Sequence, residues 1–168
     1  MKKTAKVKPL TKKQIADKIK EVVANGQWMI RRSNNGVSCA SEANGFKWNP
    51  IGVWTEAPDW NPKSECGGGL HGNGPKSTGY WTKGNRLEFC AVEDVVDIYG
   101  EKIKCRRAMI LMVNNLPDGI SVGSSLYLGG CDLKGVTLPQ EVGGYLDLNG
   151  CDLEGVTLPH RFKGKIIK

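Results

Sequence analysis

The sequence lacks most of the features that mark membrane, secreted and metal-binding proteins. No apolar run approaches the roughly 20 residues of a transmembrane helix, and no apolar segment follows the basic residues at the start. We therefore expect no membrane span, no secretory signal and a cytoplasmic location. The six cysteines form no C-x-x-C pair, and only two histidines are present. Free thiols are expected, with no metal site and no cofactor.

Positive charge is plentiful, but it is concentrated at one end of the chain. Residues 1–22 contain eight lysines and two acidic residues, which accounts for six of the seven net positive charges. Because phosphate contacts by lysine bind nucleic acid without regard to sequence, nucleic-acid binding by this segment is one alternative function. The lysines that would carry it are Lys2, Lys3, Lys6, Lys8, Lys12 and Lys13.

The basic segment also has the pattern of an amphipathic helix. Thr11 is a good N-cap, Gln14 stands where a capping box needs Glu or Gln, and Asn25–Gly26 is a typical helix end. One face collects the apolar side chains at helical spacing, namely Ile15, Ile19, Val22 and Val23. Residues 1–26 are therefore predicted to form a basic tail and a helix.

Residues 27–115 are predicted to form an irregular β-rich domain. Alternating and apolar runs predict strands over Gln27–Arg32, Phe46–Trp48, Gly52–Thr55, Arg86–Val92, Val95–Tyr99 and Lys102–Val113. Between them, residues 57–79 form a long Gly/Pro-rich segment that is expected to be a loop. Loops of that length are usually functional or disordered, and Trp60 and Leu70 argue against disorder.

The last third of the chain contains a repeat. CDLKGVTLP at Cys131–Pro139 recurs as CDLEGVTLP at Cys151–Pro159, with eight of nine positions identical and a period of twenty residues. Such a period is typical of stacked coils that bury their apolar faces against one another. Two full copies are too few to be stable alone, so residues 116–168 are expected to pack on the preceding β-domain.

This repeat resembles a leucine-rich repeat of the variety that ends each unit with Leu-Pro. Gly123 and Gly143 stand where that pattern has a leucine, so a small β-solenoid is the other reading. The expected fold is mainly β (α+β): an N-terminal amphipathic helix, an irregular β-domain and a short C-terminal leucine-rich-like β-solenoid stack. Repeat stacks commonly present binding surfaces, which favours binding over chemistry.

Two motifs resemble an uncharacterised family of bacteriophage and prophage proteins. They are W-x-E-A-P-x-W-x-P, at Trp54–Pro62, and C-G-G-G-L-H, at Cys66–His71, and a basic strand like Lys102–Arg107 often follows them in that family. The resemblance covers most of residues 27–113. It implies a phage-encoded protein, and it implies no established reaction.

Several chemical sites can be weighed in the Gly/Pro-rich segment. Cys66 and His71 are the weak catalytic candidates, as a thiolate and its base. A zinc site would need further ligands such as Cys39, Cys90 or Cys105. The order His71, Tyr80, Glu93 is shared with some ADP-ribosyl-transferring enzymes but has little specificity. The run Gly67–Gly69 is expected to form a tight turn, since it lacks the G-K-[ST] ending of a phosphate-binding loop.

The sequence therefore favours a non-catalytic interaction protein, with nucleic-acid binding and a small enzyme as alternatives. Its expected partner is a host protein or ribonucleoprotein complex and not a membrane. A phage origin would suit an inhibitor of a host or antiviral defence complex, of the anti-CRISPR type. The predicted contact residues lie in the Gly/Pro-rich segment and on the repeat face: Trp54, Trp60, Leu70, His71, Tyr127, Lys134, Asp147 and Glu154.

Overall fold

The computed structural model describes residues 7–39, 45–79, 83–158, 161–162 and 166–167. These residues form mostly β-structure, in open sheets, with one helix. The helix α1 spans Lys12–Asn25. The strands are β1 Trp28–Ser33, β2 Trp54–Glu56, β3 Leu70–Gly72, β4 Arg86–Ile98, β5 Lys102–Val113, β6 Ser121–Val122, β7 Leu126–Tyr127, β8 Glu141–Val142, β9 Leu146–Asp147, β10 Arg161–Phe162 and β11 Ile166–Ile167.

Helix α1 begins and ends where the sequence predicts. The backbone N–H of Gln14 donates to Thr11 Oγ1 at 3.3 Å, and Gln14 Oε1 accepts from the Thr11 backbone at 2.9 Å. Gly26 ends the helix in the left-handed region, with φ +70°. Val22 is buried, so the helix packs its apolar face on the body. No helix in the described part of the chain has the length and apolarity needed to cross a membrane.

The central feature is an antiparallel sheet built on the long β4–β5 hairpin. Strand β1 pairs with the outer edge of β4, while β2 and β3 lie end to end along the outer edge of β5. The residues Arg86–Val92 and Val95–Tyr99, predicted as two strands, form the single strand β4 except for Tyr99, which lies in the following turn. Its irregularities are a register shift at Phe89/Cys90 and a positive φ of 53° at Asp94.

Two predictions about the Gly/Pro-rich half of this domain are wrong. Residues 46–48 do not form a strand, because among the described residues only Lys47 pairs, in an isolated bridge with Val37. Residues 57–79 are not all loop, because Leu70 is buried and pairs with Cys105 in strand β3. The long-range pairing with β5 creates this strand, and no local pattern marks it.

The repeat region forms two three-stranded parallel sheets, β6–β8–β10 and β7–β9–β11. Strands pair in steps of twenty residues: Leu126 lies opposite Leu146, and Leu146 opposite Ile166. The two repeat copies approach closely at Gly143, where a Cβ would overlap the carbonyl oxygen of Gly123 in the copy before. A leucine therefore cannot stand at position 143, whereas a Cβ on Gly123 would make only an ordinary contact, 3.4 Å from Pro75 O.

Two buried apolar clusters lie on the sheet. One contains Trp28, Ile30 and Phe89, and continues without interruption into the repeat leucines Leu128, Leu133 and Leu146. The other contains Met29, Trp48, Leu70, Cys90 and Cys105. Because successive residues of β1 point to opposite faces of the strand, Trp28 and Ile30 join the first cluster and Met29 joins the second.

Candidate functional site: a cleft beside strand β1

Strand β1 carries two consecutive arginines in a fully buried stretch of chain. Arg31 and Arg32 are only 5% and 6% exposed. Arginines are almost never this buried unless their charges are paired. Alternation along the strand sends the two side chains to opposite faces, so each must be satisfied by a different part of the molecule.

Arg31 is held by an ion pair and by an aromatic ring. Its Nε lies 2.8 Å from Glu88 Oε2, close enough for an ion pair although not aligned as a hydrogen bond. Its guanidinium carbon lies 3.7 Å from the centroid of the Trp48 ring. Burial lowers the pKa of Arg31, and the Glu88 charge opposes this effect. The Nη2 atom is buried without a hydrogen-bond partner among the described residues.

Glu88 is shared between two arginines. Its Oε1 atom accepts from Ser33 Oγ at 2.8 Å and lies 2.6 Å from Arg86 Nη2, while its Oε2 faces Arg31. The carboxylate is completely buried. One negative charge therefore offsets two positive charges, and this group of side chains retains a net positive charge.

Arg32 ties the sheet to the repeat region through backbone carbonyls. Its Nη2 atom donates to Gly84 O at 2.6 Å and to Gly129 O at 2.7 Å, and its Nε donates to Gly84 O at 3.0 Å. The described residues supply no carboxylate within ion-pair distance of it. Its Nη1 atom is buried without a partner in the described part of the chain.

Trp48 and His71 add two more buried nitrogens. Trp48 Nε1 and His71 Nδ1 have no hydrogen-bond partner among the described side chains and backbone. Burial, with smaller contributions from Lys102 and Lys104, lowers the pKa of His71 to about 4. His71 is therefore neutral at physiological pH and can use Nδ1 as a donor or an acceptor.

All four residues line one cleft of about 700 Å³. This volume is in the range of small-molecule sites, about 300–1,000 Å³. Apolar wall is supplied by Phe46, Trp48 and Leu70, and the charged lining residues are Arg31, Arg32, Lys102 and Asp59. Cations thus outnumber the single carboxylate, and the cleft is electropositive.

The Gly-rich turn forms one wall of the cleft and is fixed from below by a buried lysine. Lys104 Nζ donates to Glu65 O at 2.9 Å and to Gly67 O at 3.0 Å. Gly67, Gly68 and Gly69 all have positive φ, and a Cβ on Gly68 would lie 2.8 Å from Asp59 O. The glycine run is therefore a tight turn, as the sequence predicts, and its shape brings backbone to the cleft wall.

The catalytic candidates share the cleft without forming a pair. Cys66 is exposed and His71 is half-buried, and no hydrogen bond joins them among the described contacts. The buried thiols are poor nucleophiles, because burial raises the pKa of Cys90 and raises that of Cys105 to about 12. Within the described residues, no three His, Cys, Asp or Glu side chains are grouped to hold a metal. Tyr80 lies outside the described residues.

The predicted aromatic contacts have different surroundings. Trp54 is half-buried under α1, with Lys18 Nζ 6.0 Å and Arg107 Cζ 4.8 Å from its ring centroid. Trp60 is half-buried and packs over Gly69, where a Cβ would come within 3.3 Å of its ring. Leu70 is buried and lines the cleft. Only Leu70 and His71 of these predicted contacts belong to the cleft.

The predicted repeat contacts pair between neighbouring repeat copies. Lys134 Nζ lies 3.1 Å from Glu154 Oε2, with side chains 65% and 73% exposed. Tyr127 and Asp147 are half-buried and face each other in register. Of the N-terminal lysines, Lys8, Lys12 and Lys13 are exposed, and Lys2, Lys3 and Lys6 lie outside the described residues.

Sequence reasoning missed the principal residues of the cleft. Arg31, Arg32 and Trp48 were predicted only as residues of strands. The available signal was the pair of arginines inside the otherwise apolar strand Trp28–Ser33, since buried arginines need partners. No protein-family model, curated protein or solved structure shows significant similarity to this chain. The resemblance to phage proteins therefore stays a prediction.

Proposed function

We propose that this chain is a non-catalytic binding protein whose contact site is the cleft beside β1 and β3. The observation that carries this proposal is the set of four buried nitrogens, in Arg31, Arg32, Trp48 and His71, that line the cleft without partners among the described residues. A buried unsatisfied polar group costs about 1–3 kcal/mol. A partner that supplies acceptors to these groups recovers that cost, which favours binding at this place.

The chemistry of the cleft favours binding over catalysis. The neutral His71 has the pKa of a weak base, about 4, and the exposed Cys66 has no hydrogen bond to it among the described residues. A nucleophile needs an adjacent base within hydrogen-bond reach. By contrast, several fixed donors point to recognition of an acceptor group.

The cleft coincides with the motifs that resemble the phage family. Every residue of the C-G-G-G-L-H run, Cys66–His71, lines it, and so do Pro58 and Asp59 of the other motif. On this ground we extend the proposal: the chain is phage-encoded, acts in the host cytoplasm and binds a host protein or ribonucleoprotein, as an inhibitor of a host or defence complex would.

We also propose that residues 116–168 are a short leucine-rich-like β-solenoid that supports the cleft from one side. The twenty-residue register of the parallel strands supports this reading. So does the bond from Arg32 Nη2 to Gly129 O, which joins the repeat to the cleft arginine. In this reading the repeat is principally a scaffold.

Affinity capture from bacterial lysate tests the proposed class of function. The tagged chain is used with and without nuclease, beside Cys66→Ser and a charge-reversed variant of Lys8, Lys12 and Lys13. Charge reversal is better than deleting residues 1–22, because Val22 of α1 is part of the core. We expect a discrete partner that survives nuclease and is retained by both variants.

Two outcomes would contradict the proposal. Recovery of nucleic acid alone, lost with the lysine variant, would move the function to the basic N-terminus. Chemical conversion of the captured partner that Cys66→Ser abolishes, with the fold unchanged by circular dichroism, would favour an enzyme.

A further inference from the structure

The four nitrogens of the cleft differ in what they can bind, and most of them can only donate. Arg31 Nη2, Arg32 Nη1 and Trp48 Nε1 carry hydrogens and no lone pair, and only His71 Nδ1 is able to accept. A group that pairs with more than one of these donors needs several lone pairs. A carboxylate or a phosphate has them, and a neutral hydroxyl or amide does not have enough.

The charges around the cleft point to the same class of ligand. Arg32 has only carbonyl partners in the described part of the chain, and Arg31 shares its carboxylate with Arg86. Lys102 lines the cleft, and the completely buried Lys104 donates to two carbonyl oxygens of the wall. An anion would offset this excess of positive charge, and its attraction is stronger in a desolvated site than in water.

The walls indicate that the anion is carried by an apolar group. Phe46, Trp48 and Leu70 supply apolar surface beside the donors, and the volume exceeds what a single ion fills. One face of the Trp48 ring is covered by Arg31, so the arginine and the ring form one rigid unit.

We infer that this cleft binds an oxyanion, a carboxylate or phosphate, on an apolar or aromatic body, with Arg31, Arg32 and Trp48 as its donors. The inference rests on the proposed binding role of the cleft and adds the chemical class of the bound group. That group is either a free small molecule or a side chain of the macromolecular partner, and the two sources share this chemistry.

Calorimetric titration of the purified full chain tests the inference. The probes are phenyl phosphate, benzoate, inorganic phosphate and, as the neutral control, phenol. We expect saturable one-to-one binding of phenyl phosphate or benzoate, weaker binding of inorganic phosphate and none of phenol. Binding of phenyl phosphate alone identifies a phosphate site, and binding of benzoate alone a carboxylate site.

A matched pair of tryptophan variants locates the binding. Trp48→Phe keeps a ring over Arg31 and removes one donor, and we expect it to weaken binding of the anion about tenfold. Trp54→Phe makes the same change outside the cleft and should leave the affinity unchanged. If Trp48→Phe does not fold, Lys102→Gln replaces it, with Lys134→Gln on the repeat as its control.

Three results would overturn the inference: no saturable binding of any anion at millimolar concentration, equal binding of phenol, or equal weakening by the cleft and control variants. Failure here is distinguishable from failure of the proposed function. A protein that ignores these anions but captures its partner through the cleft would keep the binding role and lose only the oxyanion.

A competition experiment distinguishes the two sources of the anion. The partner is captured on the wild-type chain in the presence and absence of phenyl phosphate or benzoate. If the group belongs to the partner, phenyl phosphate or benzoate should displace the partner from the wild-type chain. If the group is a free ligand, capture should persist or increase in its presence. Displacement supports an oxyanion carried by the partner, whereas persistence identifies a free ligand only when the titration has shown that the anion binds. The Trp54→Phe control should behave as the wild type in both cases.

Discussion

Buried polar groups distinguish the two regions of the molecule: the antiparallel sheet of β1–β5, called here the sheet half, and the parallel sheets of β6–β11, called the repeat half. In the sheet half, Arg31, Arg32, Glu88 and Lys104 are buried, and a buried nitrogen is left without a partner in each of Arg31, Arg32, Trp48 and His71. In the described part of the repeat half, the buried side chains are apolar and none has an unpartnered polar atom. Native proteins rarely leave buried polar groups unpaired except for a reason, so the difference supports the proposed contact site in the sheet half.

The repeat satisfies its polar groups locally and in the same way in each copy. Asp132 Oδ1 accepts from the Lys134 backbone N–H, and Asp152 Oδ1 accepts from the Glu154 backbone N–H twenty residues later. The two contacts stabilise equivalent turns. Such internal consistency suits the proposed scaffold role, and no described side chain of the repeat has a buried nitrogen or oxygen without a partner.

The largest expected effect comes from breaking the buried charge network of the sheet half. Glu88→Gln removes the negative charge that offsets Arg31 and Arg86, and we expect it to destabilise the fold by about 3–5 kcal/mol. Glu93→Gln is the matched control, because its ion pair with Arg107 is partly exposed and should contribute at most about 1 kcal/mol. Urea unfolding measures both. A similar loss of stability in Glu88→Gln and Glu93→Gln would contradict the claim that the buried charge network stabilises the sheet half.

In the repeat half, we expect overpacking, and not the loss of a charge, to lower stability most. Gly143→Ala places a methyl group against the Gly123 carbonyl of the neighbouring coil, and we expect a loss of about 1–3 kcal/mol. The control Gly123→Ala puts its Cβ 3.4 Å from Pro75 O, an ordinary contact, and should change stability little. Thermal unfolding distinguishes them. Equal stability of the two variants would mean that the coils do not approach closely.

Acid should weaken the sheet half through His71. Its folded pKa of about 4 lies below the unfolded value of 6.5, so the unfolded state binds more protons between those pH values. The resulting stability is complete above about pH 6.5 and is lost as the pH falls toward 4. The His71→Asn variant should lose less stability between pH 7 and pH 4.5 than the wild type, by about 1–2 kcal/mol. Denaturant titrations at both pH values measure this, and an unchanged pH dependence would contradict it.

The smallest effect is expected on the repeat face. Lys134→Ala removes an ion pair with Glu154 whose side chains are both well exposed, and stability should change by at most about 0.5 kcal/mol. Added salt should change the stability difference between Lys134→Ala and the wild type very little. A loss of more than about 1 kcal/mol in the free energy of unfolding, measured in urea, would show that this ion pair stabilises the repeat more than an exposed pair should.

The parts of the fold that depend on local patterns could be predicted from the sequence. The capping box of Thr11 and Gln14 fixes the start of α1, and the twenty-residue register follows from the repeated letters. Strand β3 could not be predicted, because Leu70–Gly72 becomes a strand only through its pairing with β5. The predicted strand Phe46–Trp48 is wrong for a similar reason. Trp48 is buried against Arg31, seventeen positions away, and its burial does not come from strand pairing.

The cleft itself was only half predictable. His71, Leu70 and the glycine turn stand in a conspicuous motif, whereas Arg31 and Arg32 come to line the cleft because the isolated bridge between Ile30 and Asn73 brings β1 beside the end of β3. That contact depends on the whole sheet. A residue pattern within one strand does not contain it.

The most direct test of the central claim compares one charge reversal in each region. Lys102→Glu reverses a charge that lines the cleft, and Lys134→Glu makes the same change on the repeat face. In affinity capture from nuclease-treated lysate, normalised to folded protein, the cleft as contact site predicts that Lys102→Glu loses the partner and Lys134→Glu retains it. Loss with Lys134→Glu and retention with Lys102→Glu would contradict the account and make the repeat face the contact site.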